Sequence, residues 1–265
     1  MPFILSKMRL ENFRDLGGIV NKDGRTIRSG LIFRSASMEH LCLCDRRELV
    51  KKYHLKHVID LRTNIEISQK KDKIIKGVTY HHLPYLKNRL PGVTHEHDVS
   101  KKDLLFNKKA REDLVRSLPK MKDMYISNAE SDECYANSKI IVHQVIDNAI
   151  KGESTLYHCT AGKDRSGIVS ALLLCLLDVD LEVIIEDYLK ANNKKAMRRT
   201  LRKVKLLISD KELLADIQDK IEAKRENFMA YVDTVKKKYG SFESFIAGLE
   251  VSKEKLEAFK KAMLE

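Results

Sequence analysis

The 265-residue sequence predicts an α/β fold, with a mostly parallel central sheet flanked by helices. Three observations predict it. Short apolar strand candidates alternate with helical stretches through the first half of the chain. From Ser154 to Leu177 a buried strand, a glycine-containing loop and an apolar helix follow one another directly. Everything beyond that helix carries helical periodicity. No internal repeat and no low-complexity linker interrupts the chain, so residues 1–265 are expected to form one domain.

The elements read in order as follows. The N-terminal part consists of short strands and turns, with Asp23-Gly24 as a hairpin turn and Leu31-Ile32-Phe33-Arg34 as a strand. A helix is expected from Asp45 to Tyr53, with Cys44 near its cap, and a buried strand at Val58-Ile59-Asp60-Leu61. Val78 to Leu83 is a further strand, stopped by Pro84, which has no N–H to give a ladder. Asp103 to Ile150 is mostly helical, with loops near Pro119 and Ser131-Asp132. Ser154 to His158 is the strand before the central loop, and Ser166 to Leu177 the helix after it. C-terminal helices occupy about 190–265, including one long amphipathic stretch from Lys211 to Tyr239.

Composition sets the outer limits. Hydrophobic residues make up 43% of the chain, enough for a sizeable core. No run approaches the roughly 18 apolar residues that a membrane span requires, and Met1 to Leu10 does not look like a signal peptide. The five cysteines form no regular framework, which suits a reducing, cytoplasmic setting better than a disulfide scaffold. A net charge of +12 favours anionic partners. Much of it gathers between Lys190 and Lys205, at Lys194, Lys195, Arg198, Arg199, Arg202 and Lys203, with Met197, Leu201, Val204 and Ile208 along one side of the same helix. That pattern reads first as a solvated basic face over an apolar stripe. Its second reading is a helix lying on an anionic membrane surface.

The chemistry concentrates at His158-Cys159-Thr160-Ala161-Gly162-Lys163-Asp164-Arg165-Ser166-Gly167. Five residues separate Cys159 from Arg165, and a hydroxyl follows at Ser166. A strand, a tight loop and a helix N-terminus in this order aim successive backbone N–H groups at one point, a cradle for a phosphate dianion formed by Thr160, Ala161, Gly162, Lys163 and Gly167. The same field favours thiolate at Cys159, the expected nucleophile. Gly162 supplies the backbone freedom the loop needs. Arg165 offers a planar fork for two phosphate oxygens. Ser166 is placed to hydrogen-bond the Cys159 sulfur and help it leave, and Lys163 to add positive charge at the rim. Asp164, the acidic residue nearest the nucleophile in sequence, is the expected general acid and later general base. No cofactor or metal is expected.

This loop resembles that of the cysteine-dependent tyrosine phosphatases, in the form found in their atypical bacterial branch. The resemblance extends to Asn12-Phe13-Arg14-Asp15-Leu16-Gly17-Gly18, to Arg34-Ser35-Ala36, to Val58-Ile59-Asp60-Leu61-Arg62, to Asp187-Tyr188-Leu189-Lys190-Ala191-Asn192, and to Tyr239-Gly240-Ser241 with Phe242 to Leu249. It is weakest between about Asn88 and Ser138. It implies a cysteine-phosphatase-like sheet, Cys159 as nucleophile, Arg165 as phosphate-binding arginine and Asp164 as acid. Lys163 and Asp164 mark the branch, whose members act on phosphoinositides as well as phosphoproteins. Where some members carry an Asp after a Leu-Pro-aromatic segment, this chain has Leu83-Pro84-Tyr85-Leu86-Lys87, which strengthens the case for Asp164. The family also allows a helical lid at about 92–137, against the plainer reading of a surface insertion.

The remaining candidates read as scaffold. Cys42-Leu43-Cys44 lacks a partner pair for a metal, and His81-His82 and His95-x-His97 lack acidic or sulfur neighbours in clear register. Asp60 and Arg62 suggest an ion pair, Arg14 and Asp15 scaffold positions, and His158 a buried residue that tunes the loop. The expected substrates are phosphorylated proteins or peptides, on tyrosine and on serine or threonine, and phosphoinositides. Nucleic acid is not expected as a partner, and non-classical secretion is compatible with the chain. A rhodanese-type sulfurtransferase and a silent phosphate-binding module stand as alternatives.

Overall fold

The computed structural model describes residues 10–86 and 107–265. The chain divides into two compact units, one made of Met1–Lys87, Glu133–Ile184 and Glu243–Glu265, the other of Asn88–Asp132 and Ile185–Phe242.

The first unit is built on a five-stranded sheet of order β1-β2-β5-β3-β4. The strands are β1 (Arg14–Asp15), β2 (Ile32–Ser35), β3 (Leu55–Asp60), β4 (Thr79–His82) and β5 (Ser154–His158). Only the β1–β2 pairing is antiparallel; β2, β5, β3 and β4 run parallel. β5 is the middle strand and is buried along its whole length, as expected of a strand covered on both faces. Side chains alternate across it. Leu156 joins Phe33, Val58, Met38, Leu41, Leu49 and Leu55 in one core layer, where Phe13, Phe33 and Tyr53 pack their rings at 4.9–5.5 Å. Tyr157 points the other way, its hydroxyl 2.6 Å from Ser170.

The helices follow from local signals. α1 (Leu43–Lys51) is capped by Cys42, two positions before the expected Cys44. α2 (Asn64–Gln69) was not foreseen, although Thr63-x-x-Glu66 is a capping box: the Thr63 hydroxyl accepts from the Glu66 amide and Glu66 accepts from the Thr63 amide. After β4 come α3 (Lys108–Ser117), α4 (Met121–Glu130) and α5 (Asp132–Ile150). α6 (Asp164–Leu176) follows the loop after β5 and is buried on nearly all sides, consistent with its uninterrupted apolar run.

The chain continues through α7 (Leu181–Leu189), α8 (Lys194–Lys205), α9 (Lys211–Ile221), α10 (Arg225–Tyr239), α11 (Phe242–Ala247) and α12 (Lys253–Met263). The long stretch expected from Lys211 to Tyr239 is therefore two helices, ended and restarted across Glu222–Lys224. In the second unit α4 packs on α10. The Tyr125 hydroxyl donates to that of Tyr188 at 2.9 Å, and Asn192 clamps the turn before α10 through both backbone groups of Ala223. Of the segment expected as a lid, residues 92–106 lie outside the described residues; the rest belongs to α3, α4 and the start of α5.

Candidate active site

β5 ends at His158, and Cys159–Lys163 turns at once into α6. This places the loop at the carboxyl end of the middle strand of a parallel array, where open α/β sheets bind their ligands.

The loop is held by its carbonyls. The Thr160 carbonyl accepts from the Ser37 amide at 3.2 Å, and the Ala161 carbonyl from Asn12 Nδ2 at 2.7 Å. Arg34 Nη2 donates to the carbonyls of Gly162 and Lys163, each at 3.1 Å, and the Gly167 amide donates to Lys163 at 2.8 Å. In a trans peptide the N–H points opposite the C=O. Tying each carbonyl to an outside partner therefore turns the amides of Ala161, Gly162, Lys163 and Asp164 toward the inner side of the loop. Arg34 is wholly buried, and its other arm donates to Ser170 Oγ at 2.7 Å. Gly162 is required twice over. Its φ is +64°, and a Cβ there would lie 2.4 Å from the Ser35 carbonyl and 2.5 Å from the Ala36 nitrogen.

Arg165, in the first turn of α6, meets Glu66 of α2. Nη1 donates to Oε2 at 2.7 Å and Nη2 to Oε1 at 2.6 Å, a two-pronged charge-assisted pair. The Thr160 hydroxyl also donates to Oε1, at 2.5 Å. Burial alone would raise the Glu66 carboxyl, but the Arg165 hydrogen bonds and charge, with Thr160 and the Thr63 amide, bring it down to about 2. Burial likewise works against the Arg165 cation, and Glu66 outweighs it, so the guanidinium pKa rises above its ordinary value.

Beneath the loop, His158 is fully buried, with Nδ1 3.3 Å from the Cys159 carbonyl and Nε2 3.0 Å from Asp72. Asp72 also accepts from the Met38 amide at 2.7 Å and faces Arg62 at 2.8 Å. Burial opposes ionisation of Asp72, yet His158 and Arg62 hold it below the usual carboxylate range. Arg62 pairs with Asp60 at 2.7 Å. Asp60, Asp72 and His158 gather three potential metal ligands, but the Arg62 guanidinium already supplies their counter-charge.

Each residue read from the sequence can now be placed. Cys159 sits at the loop floor with 2% of its surface exposed, while Thr160 and Ala161 are exposed at the mouth. Asp164 opens α6, half-buried, 3.6 Å from the Lys163 ammonium. Lys163 is buried, so it does not stand at an open rim as expected. Ser166 Oγ is buried and has no hydrogen-bond partner among the described residues, so the expected bond to the Cys159 sulfur is not formed. Gly167 is buried in the first turn of α6. Sequence reasoning missed Glu66, Asp72 and Ser37, and left Asn12 and Arg34 without a role. Only Glu66 had a local signal, the capping box.

The site thus gathers a buried cysteine, loop carbonyls tied outward and an arginine paired with Glu66 in the first turn of a helix. The chain belongs to the tyrosine phosphatase family, whose sequence model matches residues 5–265. It is 26% identical over 258 residues to the triple specificity protein phosphatase PtpB of Mycobacterium tuberculosis, across 91% of this chain and 92% of that one. It is also 28% identical over 193 residues to a Cupriavidus necator protein named as a tyrosine-protein phosphatase, covering 71% of this chain and 62% of the other. Family membership carries phosphatase activity, with phosphorylated proteins as substrates.

Proposed function

We propose that the chain hydrolyses phosphomonoesters through a phosphocysteine intermediate. The observation that carries this is the loop itself, its carbonyls tied outward above Cys159 and its arginine fixed by Glu66. The Cys159 thiolate attacks phosphorus, and the ester P–O bond breaks as Asp164 protonates the leaving oxygen. The amides of the loop and Arg165 stabilise the charge on the equatorial oxygens in the transition state. Water then attacks phosphorus, Asp164 takes its proton, and the P–S bond breaks to release inorganic phosphate. Ser166 Oγ, buried and without a hydrogen-bond partner among the described residues, is available to donate to the departing sulfur.

Substrate breadth is part of the same proposal. The mycobacterial relative is named for triple specificity, and the net charge of +12 suits polyanionic substrates such as phosphoinositides beside phosphotyrosine and phosphoserine or phosphothreonine. An anionic membrane surface is supported by α8, where Arg198, Arg199 and Arg202 are exposed, followed by Leu206 and Leu207 at 86% and 46% exposure. No helix among the described residues is long and apolar enough to cross a membrane.

The test is phosphate release from phosphotyrosine peptide, phosphoserine peptide and a phosphoinositide panel, with Cys159→Ser and Asp164→Ala beside wild type. An inactive Cys159→Ser and an Asp164→Ala slowed roughly 10²–10⁴-fold are expected. No release under reducing conditions would overturn the reading. Turnover of thiosulfate would then favour sulfur transfer, and phosphate binding without turnover a silent module.

A further inference from the structure

α1 begins at an oxidised pair. Cys42 and Cys44 are joined in a disulfide across a single residue, whereas Cys134, Cys159 and Cys175 take part in no disulfide. The sequence reading found no regular disulfide framework among the five cysteines and took Cys42-Leu43-Cys44 only as a C-x-C pair without metal partners.

The bridge contributes little to the fold. A cross-link restrains the unfolded chain more as its loop lengthens, and this loop is among the shortest two cysteines can close. α1 is also secured without it. The Cys42 sulfur accepts from the Asp45 amide at 3.2 Å and the Asp45 carboxylate accepts from the Cys42 amide at 3.2 Å, while Leu41 and Leu49 lie in the core. Accessible disulfides of this kind are the labile ones.

The two sulfurs are unequal. Cys44 is exposed and Cys42 half-buried. Cys42 is the N-cap, where a backbone N–H and the helix N-terminus stabilise a thiolate. The Asp45 carboxylate nearby opposes that charge, but it is turned to the Cys42 amide while the Asp45 amide points at the sulfur.

We propose that Cys42 and Cys44 form a reversible dithiol–disulfide site that exchanges with low-molecular-weight thiols and disulfides. In reduction, an external thiolate attacks the exposed Cys44 sulfur. The Cys42–Cys44 bond breaks, Cys42 leaves as the capped thiolate, and a mixed disulfide remains on Cys44. A second external thiolate attacks the external sulfur of that mixed disulfide, releasing the oxidised external disulfide and the Cys44 thiolate. Two electrons pass to the pair, and protons from solvent complete the dithiol. Oxidation runs in reverse, with Cys42 resolving the mixed disulfide on Cys44.

The site stands on its own residues and is tested without an activity assay. Full-length protein carrying Cys159→Ser, which removes the loop thiol, is equilibrated in mixtures of reduced and oxidised glutathione. It is then acid-quenched, alkylated and read by mass spectrometry of the Cys42–Cys44 peptide. The pair is expected to pass from dithiol to disulfide within these mixtures. With Cys42→Ser added, glutathione is expected to accumulate on Cys44 roughly tenfold more than on Cys42 when Cys44→Ser is added instead. A pair that stays bridged in excess reduced glutathione, or stays open in oxidised glutathione, overturns the proposal. Equal trapping in the two serine variants overturns the assignment of Cys42 as the resolving sulfur. Should either variant lose its helical circular dichroism, the titration of the Cys159→Ser parent alone decides.

Discussion

Replacing Glu66 with glutamine removes one charge from the site with almost no change of shape, and it tests the geometry most directly. Glu66 takes both arms of Arg165 at 2.6–2.7 Å and the Thr160 hydroxyl beside them. The fall of its carboxyl from 4.5 to about 2 corresponds to roughly 3 kcal/mol of preference for the ionised, paired form. That is of the order expected when one partner of a buried ion pair is removed, about 3–5 kcal/mol. Glu66→Gln should therefore lower the melting temperature by roughly 5–10 °C at neutral pH. Arg165 would keep its charge and lose its alignment. Ground-state binding of a phosphate dianion should hold or tighten, because a neighbouring negative charge is gone, while the transition state loses an oriented donor. A kcat lower by about 10²–10³ with KM unchanged or reduced is the expected split.

The pH profile adds an independent readout. The folded pKa of Glu66 lies below its unfolded value, so its stabilisation is complete above about 4.5 and is lost as pH falls toward 2. Wild type should show this acid-side loss in urea melts taken across that range, and Glu66→Gln should lack it. A folded glutamine variant with wild-type kcat and an unchanged acid limb would refute the reasoning.

Three further outcomes follow from the same geometry. Gly162→Ala puts a methyl against the Ser35 carbonyl carbon and oxygen at φ +64°, so phosphatase activity should fall at least about 10²-fold, with a lower melting temperature in the same preparation. Asn12→Ala removes a solvent-exposed hydrogen bond to the Ala161 carbonyl, so kcat should drop roughly tenfold while the stability changes by less than about 1 kcal/mol. Burial first, and then the Glu243 charge, push the Cys175 thiol up to about 12. Iodoacetamide at pH 7.5 should therefore leave Cys175 unmodified in the native protein and label it once the chain is denatured, as read by peptide mass mapping.

Much of the architecture was legible locally. β2, β3, β4 and β5 lie within a few residues of their expected spans: buried parallel strands leave short apolar runs that periodicity detects, and the edge strand β4, with no buried residue, is stopped by Pro84. α6 was visible as an apolar run following a glycine-containing loop. The boundary between α9 and α10 was not, since Glu222–Lys224 carries neither glycine nor proline to mark the break. α2 was missed although its capping box was present, because a helix of six residues is too short to show a period. The cysteine pair was read by count and framework, and a bridge between sulfurs one residue apart leaves no framework to read.

The sequence by itself determined the candidate loop: the order of Cys159, Gly162, Asp164, Arg165 and Ser166 between a strand and a helix is a local fact, carried by residue type and spacing. Only the tertiary structure decided what holds that loop in shape. Asn12, Arg34, Ser37, Glu66 and Asp72 come from four separate stretches of chain, and their partners in the loop stand roughly ninety to one hundred and fifty residues away in sequence. The parallel order β2-β5-β3 places the ends of β2 and β3 on either side of β5. Hydrogen bonds between such distant groups exist only once that sheet has formed, so no window of sequence contains both partners.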